Sequence, residues 1–236
     1  MCGNESPTRN FRFVAVMVRG VIFDMDGVLV DNLEAHEKSF ELFCAKYELP
    51  FKKSDLNNLY GRSNDAIMPA LFGRELSKEE ILQFENEKEA LYREVYAETI
   101  EPARGIVEYI KALKDKGFRI AVGSSAPPEN IDFVLDSCDI RHYFDAIAHA
   151  RMVSRAKPEP DIFLAAAKLM GVEPENCLVF EDALAGIEAA HRAGMKVVAL
   201  PTTNSKERIA HADLVIDSFC DMNLEITAKL FNVSEL

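Results

Sequence analysis

The chain of 236 residues is long enough for one large core, or for one core with a small accessory domain. Its apolar content of 48% and charged content of 28% are ordinary for a globular protein, and no apolar run approaches the length that crosses a bilayer. The net charge of −12 argues against nucleic acid or an anionic membrane as partner, since both favour a basic surface. We therefore expect a soluble protein, and we also expect a monomer.

Residues 1–17 precede the first predicted strand. They include part of a short apolar patch, residues 11–18, but no small-residue cleavage site follows it, so we expect no secretion. The five cysteines are widely spaced and form no C-x-x-C pair, which is typical of reduced core residues. Both observations favour the cytoplasm. Residues 1–17 are interpreted as an N-terminal extension.

The first predicted strand, residues 21–25, is a continuous apolar run that leads into two carboxylates, Asp24 and Asp26. In an extended chain both would point to the same side, and Gly27 then permits the backbone to turn away. Two carboxylates this close repel each other unless a cation or a proton lies between them. Such a strand end suits phosphoryl chemistry. The alternative is an ordinary strand followed by an Asp-Gly turn.

Residues 33–100 have a different pattern, because strand-like runs are replaced by long charged amphipathic segments. The clearest segment, residues 76–98, has apolar residues at helical spacing, namely Ile81, Phe84, Leu91 and Val95. These features predict a helical insertion between the first strand and the next. Residues 101–105 would form the linker that returns to the sheet.

From residue 101 onward, short apolar strands alternate with helices, which is the pattern of a parallel βαβ sheet. Helices predicted over 104–116, 160–170 and 183–193 each end at a glycine that suits a C-terminal cap. We expect an α/β fold with a doubly wound parallel sheet. Residues 18–32 and 101–236 form its core, and the insertion 33–100 a second domain. The strands are predicted near residues 118–123, 145–148, 177–181, 196–200 and 213–216.

Four segments in this order resemble the motifs of haloacid-dehalogenase-like phosphohydrolases. Residues 21–30 are similar to the nucleophile motif, and a second apolar strand ends at Ser124, as in the second motif. Lys157 precedes a proline just before a helix, and a further strand ends in Glu181 and Asp182. Singly, the later motifs also fit an ordinary turn, helix start or cap. Together they cover nearly the whole chain and resemble the phosphatase and β-phosphoglucomutase-like subgroup, in which residues 33–100 would be the helical cap.

The resemblance implies a role for each motif residue. Asp24 would be the nucleophile that forms an aspartyl-phosphate, and Asp26 would protonate the leaving group and then activate water. Ser124 and Lys157 would hold the phosphate. Asp26 also favours phosphoryl transfer within the family, because dehalogenases release a halide that needs no proton.

The resemblance also implies Mg²⁺ as cofactor. A hard cation would bind Asp24, the backbone carbonyl of Asp26, and Asp182, with Glu181 as a ligand or behind the ligands. Zinc is disfavoured, since no His and Cys cluster is present.

Three residues of the insertion match positions where related sugar-phosphate enzymes place groups that face the substrate: His36, Arg62 and Lys88. Each has a plain alternative. His36 and Lys88 lie in charged helical segments where such residues are often solvated, and Arg62 could simply belong to a glycine turn.

Three functions remain open. The first is a Mg²⁺-dependent phosphatase for a small phosphorylated metabolite, such as a sugar phosphate. The second is a β-phosphoglucomutase-type phosphomutase, although the arginine expected after the cap glycine is matched by Asn64 and Arg62 is displaced by two positions. The third is a binding protein without turnover, which the presence of Asp24, Asp26 and the other motif residues disfavours.

Overall fold

The computed structural model describes residues 18–52 and 64–234, with the backbone alone at residues 64 and 65. The extension 1–17, Arg62 and residues 235–236 lie outside the described residues, as does the side chain of Asn64. Within the described ranges, no helix has both the length and the apolar character needed to traverse a bilayer.

Strands and helices alternate through most of the described chain. The first part contains β1 (Gly20–Phe23), α1 (Leu33–Lys46), α2 (Asn64–Phe72), α3 (Lys78–Tyr96), α4 (Ile106–Asp115), β2 (Arg119–Gly123), α5 (Pro128–Ser137) and β3 (Ala146–Ala148). The second part contains α6 (Asp161–Met170), β4 (Cys177–Glu181), α7 (Leu184–Arg192), β5 (Lys196–Ala199), α8 (Lys206–Ile209), β6 (Leu214–Val215) and α9 (Leu224–Leu230).

The strands form one six-stranded sheet in the order β3-β2-β1-β4-β5-β6, with parallel pairing throughout. The predicted doubly wound α/β fold is thereby confirmed. β2 and β3 lie on one side of β1, and β4, β5 and β6 lie on the other side. The strand order therefore reverses between β1 and β4. In sheets of this kind ligands bind at that point, outside the carboxyl ends of the strands.

The core lies on both faces of the sheet. Val21 and Phe23 of β1 pack on one side with Ile106 of α4, and Ile22 packs on the other side with Phe163 of α6. All three β1 side chains are fully buried, which explains why β1 is apolar at consecutive positions.

The helices of the insertion have a small core of their own, built around Phe43, Met68 and Phe84. The long helix α3 begins at a capping box formed by Ser77 and Glu80. Its buried face differs from the apolar stripe predicted from the sequence, because Ile81, Leu91 and Val95 are only half-buried. The residues that α3 buries are Phe84, Lys88, Glu89, Tyr92 and Tyr96.

Strand β1 ends at Phe23, two residues before the predicted end. The carbonyl oxygen of Met25 accepts hydrogen bonds from the backbone of Val28, Leu29 and Val30, which turns the chain immediately after the strand. Gly27 has φ of 74° in this turn, where a Cβ would also collide with the carboxylate of Asp182. The turn therefore lies against the end of β4.

Candidate active site

Asp24 directly follows β1 and is buried, with its backbone N–H donating to the carbonyl of Phe180 at 3.0 Å. The Nζ of Lys157 donates to Oδ1 of Asp24 at 2.7 Å and to Oε1 of Glu181 at 2.6 Å. Burial raises the pKa of Asp24 to about 7, with the charges of Glu181 and Asp26 acting in the same direction and Lys157 opposing them. The pKa of Lys157 is raised, because its two carboxylate partners outweigh the effect of burial.

Glu181, the last residue of β4, is fixed by the groups around it. While Oε1 accepts from Lys157, Oε2 accepts from the backbone N–H groups of Asp182 and Ala183, each at 2.6 Å. Both of its oxygens are therefore engaged. The arrangement makes Glu181 an anchor for Lys157 and for the loop that follows β4.

Asp182 is buried beside the turn after β1. Its Oδ2 accepts from the hydroxyl of Thr203, and the hydroxyl of Thr202 lies 3.0 Å away. The same Thr202 hydroxyl lies 2.7 Å from the carbonyl of Gly27, so its single proton serves one acceptor at a time. Burial and the charge of Glu181 hold the pKa of Asp182 well above its usual range.

Asp26 is held by residues at the start of α1. Oδ1 of Asp26 accepts from Nδ2 of Asn32 at 2.6 Å and lies 3.4 Å from Nε2 of His36. Burial tends to raise the pKa of Asp26, but the interactions with His36 and Asn32 outweigh it, so the pKa is lowered. Asn32 in turn lies 2.6 Å from the hydroxyl of Tyr92, whose ring stacks on His36. The geometry leaves Asp26 anionic and oriented.

Ser124 follows β2, where its backbone N–H donates to the carbonyl of Ala148. Its side chain is buried, and the hydroxyl accepts from the backbone of Ala126 at 3.1 Å, which leaves the hydroxyl proton for another partner. This places a hydroxyl donor at the same sheet edge as Asp24.

Lys88 is buried in the insertion, contrary to the solvated alternative. Its Nζ donates to Oε1 of Glu89 at 2.9 Å, lies 3.2 Å from Nδ1 of His36, and sits over the ring of Phe40. Since an ammonium group only donates, Nδ1 of His36 acts as the acceptor and Nε2 carries the proton that faces Asp26.

A cavity of about 120 Å³ joins these groups. Every described residue predicted for the site lines it, from the sheet and from the insertion alike: Asp24, Asp26, His36, Lys88, Ser124, Lys157, Glu181 and Asp182. Arg62 is not among the described residues and stays a prediction.

Several polar residues of this region had no place in the sequence prediction. Asn32, Tyr92 and Glu89 lie in segments that read as helix start or helix face, and only their burial marks them. Asn130, near the start of α5, is also buried against the cavity. Thr202 and Thr203 follow β5, and a strand end at the ligand-binding edge is the signal that could have identified them.

The carboxylates of the site fit a divalent cation. Asp24, Glu181 and Asp182 are all buried, and the Lys157 ammonium group bonds to the first two, so these carboxylates outnumber the one ammonium group. Because Glu181 is engaged, the oxygens of Asp24 and Asp182 and the carbonyl of Asp26 would hold the cation. Across residues 18–52 and 66–234, no three His, Cys, Asp or Glu side chains form a metal-binding group. Two carboxylates with water suit Mg²⁺ rather than zinc.

Comparisons with known proteins agree with this geometry. The chain is 34% identical over 179 residues to the fructose-1-phosphate phosphatase YqaB of Escherichia coli (strain K12), covering 76% of this chain and 94% of that protein. It is 30% identical over 218 residues to the β-phosphoglucomutase of Bacillus subtilis (strain 168), covering 89% of this chain and 93% of that one.

The fold is similar to the crystal structure of β-phosphoglucomutase from Clostridium difficile, with a TM-score of 0.82 and 30% identity over 92% of this chain and 98% of that chain. The sequence profile of the haloacid dehalogenase-like hydrolases matches residues 21–200. With the match reaching from β1 to β5 and including the insertion and all four motifs, the chain belongs to the haloacid dehalogenase-like hydrolases and is an enzyme of that family.

Proposed function

We propose that this protein is a Mg²⁺-dependent phosphatase that hydrolyses a small phosphorylated metabolite through an aspartyl-phosphate. The observation that carries the proposal is the position of Asp24. Its carboxylate lies at the carboxyl end of β1, bonded to Lys157, and faces a cavity that Asp26 and Ser124 also line. A nucleophile, a proton carrier and phosphate-binding groups therefore converge on one space.

In the first half of the reaction, an oxygen of Asp24 attacks phosphorus and the bond to the leaving oxygen breaks. Asp26 gives that oxygen a proton. In the second half, Asp26 takes a proton from water, whose oxygen attacks the aspartyl-phosphate and releases inorganic phosphate and free Asp24. The lowered pKa of Asp26 suits the second half, and an incoming phosphate dianion would raise that pKa toward the acid role.

The other residues of the site would orient the phosphate and stabilise its charge. The ammonium of Lys157 and the hydroxyl of Ser124 would bind the non-bridging oxygens, and Glu181 keeps Lys157 in place. When bound, Mg²⁺ would balance the charge of the buried carboxylates and of the phosphate.

We infer that the substrate is a sugar phosphate or a metabolite of similar size. The cavity of about 120 Å³ is small for a ligand pocket and has polar side chains at both ends, with His36 and Lys88 at the end away from the sheet. Two relatives named above act, by their names, on fructose 1-phosphate and phosphoglucose.

The domain division is part of the proposal. Residues 33–100 would form a cap over the core of 18–32 and 101–236, joined by segments near Asn32 and Ala103. The backbone N–H of Ala103 donates to the carbonyl of Leu29 at 2.8 Å, which holds the two segments side by side. Opening at this place would admit the substrate, and closing would exclude water.

The proposed enzyme works as a cytoplasmic monomer, without nucleic acid or membrane as partner. The net charge of −12 and the free cysteines among the described residues support this setting.

A phosphomutase is the second candidate, favoured by the similarity to β-phosphoglucomutase structures. A mutase must bind phosphate at both ends of its cavity. At the cap end of the described cavity, however, the charge of Lys88 is already offset by Glu89, at 2.9 Å. This pairing, together with Asn64 at the position of the expected mutase arginine, leads us to place hydrolysis first.

The two candidates are separated by one experiment. A phosphate-release screen over sugar phosphates with Mg²⁺ is run beside a coupled assay for conversion of glucose 1-phosphate to glucose 6-phosphate. We expect steady phosphate release and no isomerisation that depends on glucose 1,6-bisphosphate. Rapid interconversion with little phosphate release would favour the mutase.

A further inference from the structure

Helix α3 of the insertion meets helix α5 of the core through a buried amide. Asn130 on α5 is 1% exposed, and Glu89 on α3 is 4% exposed. Nδ2 of Asn130 donates to Oε2 of Glu89 at 2.6 Å, and Oδ1 of Asn130 accepts from Nη1 of Arg93 at 2.6 Å. One side chain thus holds two residues on successive turns of α3.

An amide suits this place better than other polar groups. One end of Asn130 must donate to a carboxylate and the other end must accept from a guanidinium, and an amide offers both ends at a fixed separation. A carboxylate at position 130 would keep the contact with Arg93 but would face the carboxylate of Glu89 across a buried interface.

The contact continues into the active site. Glu89 uses its other oxygen, Oε1, to accept from Nζ of Lys88, and Lys88 lies 3.2 Å from His36. Since Glu89 is fixed from the core side by Asn130, the position of the Lys88 ammonium depends on the docking of α3 against α5.

A second cap-to-core contact lies at the rim. Arg151 lies 3.7 Å from Glu85 and 2.7 Å from Glu129, and these side chains are partly exposed. Exposed ion pairs contribute little to stability, so the buried amide is the stronger determinant of how α3 docks.

We propose that Asn130 is a positioning residue that acts through Glu89 to hold Lys88 in the cavity, so that the cavity is complete only when α3 is docked on α5. The kinetic part of this inference rests on the proposed phosphatase function. Asn130 also lines the cavity, so direct contact with the substrate is the competing explanation.

The test uses an exchanged pair. In Asn130→Asp, the new carboxylate faces Glu89, and we expect kcat/KM for p-nitrophenyl phosphate to fall on the order of 10- to 100-fold. Glu89→Gln alone should also lose activity, because its amide can accept on only one side while Lys88 and Asn130 both donate. In the double variant N130D/E89Q, the introduced amide donates to the introduced carboxylate and accepts from Lys88, so the chain of hydrogen bonds is complete again.

If the losses of the two single variants were independent, they would multiply in the double variant. We expect kcat/KM of the double variant to exceed that multiplied value by roughly tenfold or more. Glu129→Gln, next to Asn130 but at the exposed rim, is the matched control and should stay near wild type. If kcat/KM of the double variant does not exceed the multiplied value, the proposal is overturned and direct substrate contact is favoured. If N130D fails to fold, recovery of folding in the double variant supports the proposal in the same way as recovery of activity.

Hydrogen exchange makes the test independent of turnover. Amide protection across Lys78–Tyr96 should drop in N130D and return in the double variant. Unchanged protection in N130D would contradict the proposal. Should the wild-type protein release no phosphate, the proposed function fails, while this exchange comparison still decides the role of Asn130.

Discussion

Gly186 of α7 lies directly against the carboxylate of Glu181. A Cβ added at Gly186 would overlap Oε1 and Cδ of Glu181 and would lie 2.7 Å from its Cγ. Gly186 is buried within a helix and is not among the glycines with positive φ, so the close approach and not the backbone conformation requires glycine here.

This relationship predicts the effect of Gly186→Ala. In most helix interiors alanine is more stable than glycine, but here the added methyl must displace Glu181 and with it Lys157. We expect the free energy of unfolding to fall by about 1–3 kcal/mol, as for other overpacked sites, together with a loss of phosphate release. Urea unfolding and a phosphate-release assay measure both. Glu188→Ala, exposed on the same helix, is the control; a Gly186→Ala protein that is more stable and fully active would contradict the interpretation.

Asp24→Asn should abolish turnover and leave the fold intact. The amide cannot form an acyl-phosphate, while its shape is retained and the crowding with Glu181 and Asp26 is relieved. We expect kcat to fall by a factor on the order of 10³ or more, with an unchanged or higher Tm. The control is Asp139→Asn, since Asp139 is fully exposed with φ of 51°, a conformation that asparagine also accepts. Normal phosphate release by Asp24→Asn would disprove the nucleophile assignment.

Asp26→Asn should discriminate between leaving groups. An alkyl phosphate needs a proton on its leaving oxygen, whereas nitrophenolate leaves without one. We therefore expect a larger loss of kcat with a sugar phosphate than with p-nitrophenyl phosphate. Equal losses on both substrates would show that Asp26 acts through the metal or through water alone.

Variants of Asp182 and Glu181 should differ in their dependence on Mg²⁺. A chelator should remove activity and Mg²⁺ should restore it. Asp182→Asn should raise the Mg²⁺ concentration for half-activation more than it raises KM at saturating metal, because it replaces a proposed ligand. Glu181→Gln should mainly lower stability, since both oxygens of Glu181 accept hydrogen bonds in the fold. Full activity with chelator present would remove the metal from the proposal.

The insertion should lose stability in acid through Glu87. Hydrogen bonds from Lys46, Tyr47 and Gln83 lower the pKa of Glu87 from its usual 4.5 to about 2, and those from Lys46 and Tyr47 tie the end of α1 to α3. A depressed folded pKa adds stability above the unfolded pKa, and that stability is lost as the pH falls from about 4.5 through about 2.

Thermal unfolding of wild type and Glu87→Gln from pH 7 to pH 2 measures this contribution. The wild type should be the more stable at neutral pH, and the gap should close across the acid range. Glu94→Gln, at an exposed position of the same helix, should show no such convergence. A gap that stays constant with pH would disprove the assignment to Glu87.

The sequence predicts the sheet and its functional edge well because strong local signals mark them. Both strands are buried on both faces, so β1 is apolar and β4 is apolar up to Glu181, and their ends place Asp24, Glu181 and Asp182 at one edge. The insertion is harder to predict because the buried face of α3 carries charged residues. Lys88 and Glu89 have the composition of a solvated face, and the core partner of Glu89, Asn130, is distant in sequence.

The sequence does not predict helix α5, because its start has the local pattern of a turn. It begins at Pro127 and Pro128, which locally resemble a turn, yet Pro128 occupies the first helical turn, where proline is tolerated. The significance of Asn130 follows only from its partners on α3. Such pairings between distant segments leave no periodic signal in the sequence.

The central place of β1 in the sheet has a consequence for synthesis on the ribosome. Gly20 pairs on one side with Arg119 and on the other with Cys177, so β1 is flanked by strands made much later. Until the segment around residue 181 has left the exit tunnel, the apolar β1 has no complete set of neighbours. Since such distant pairings form slowly, the completion of the sheet around β1 is expected to be a late step in folding.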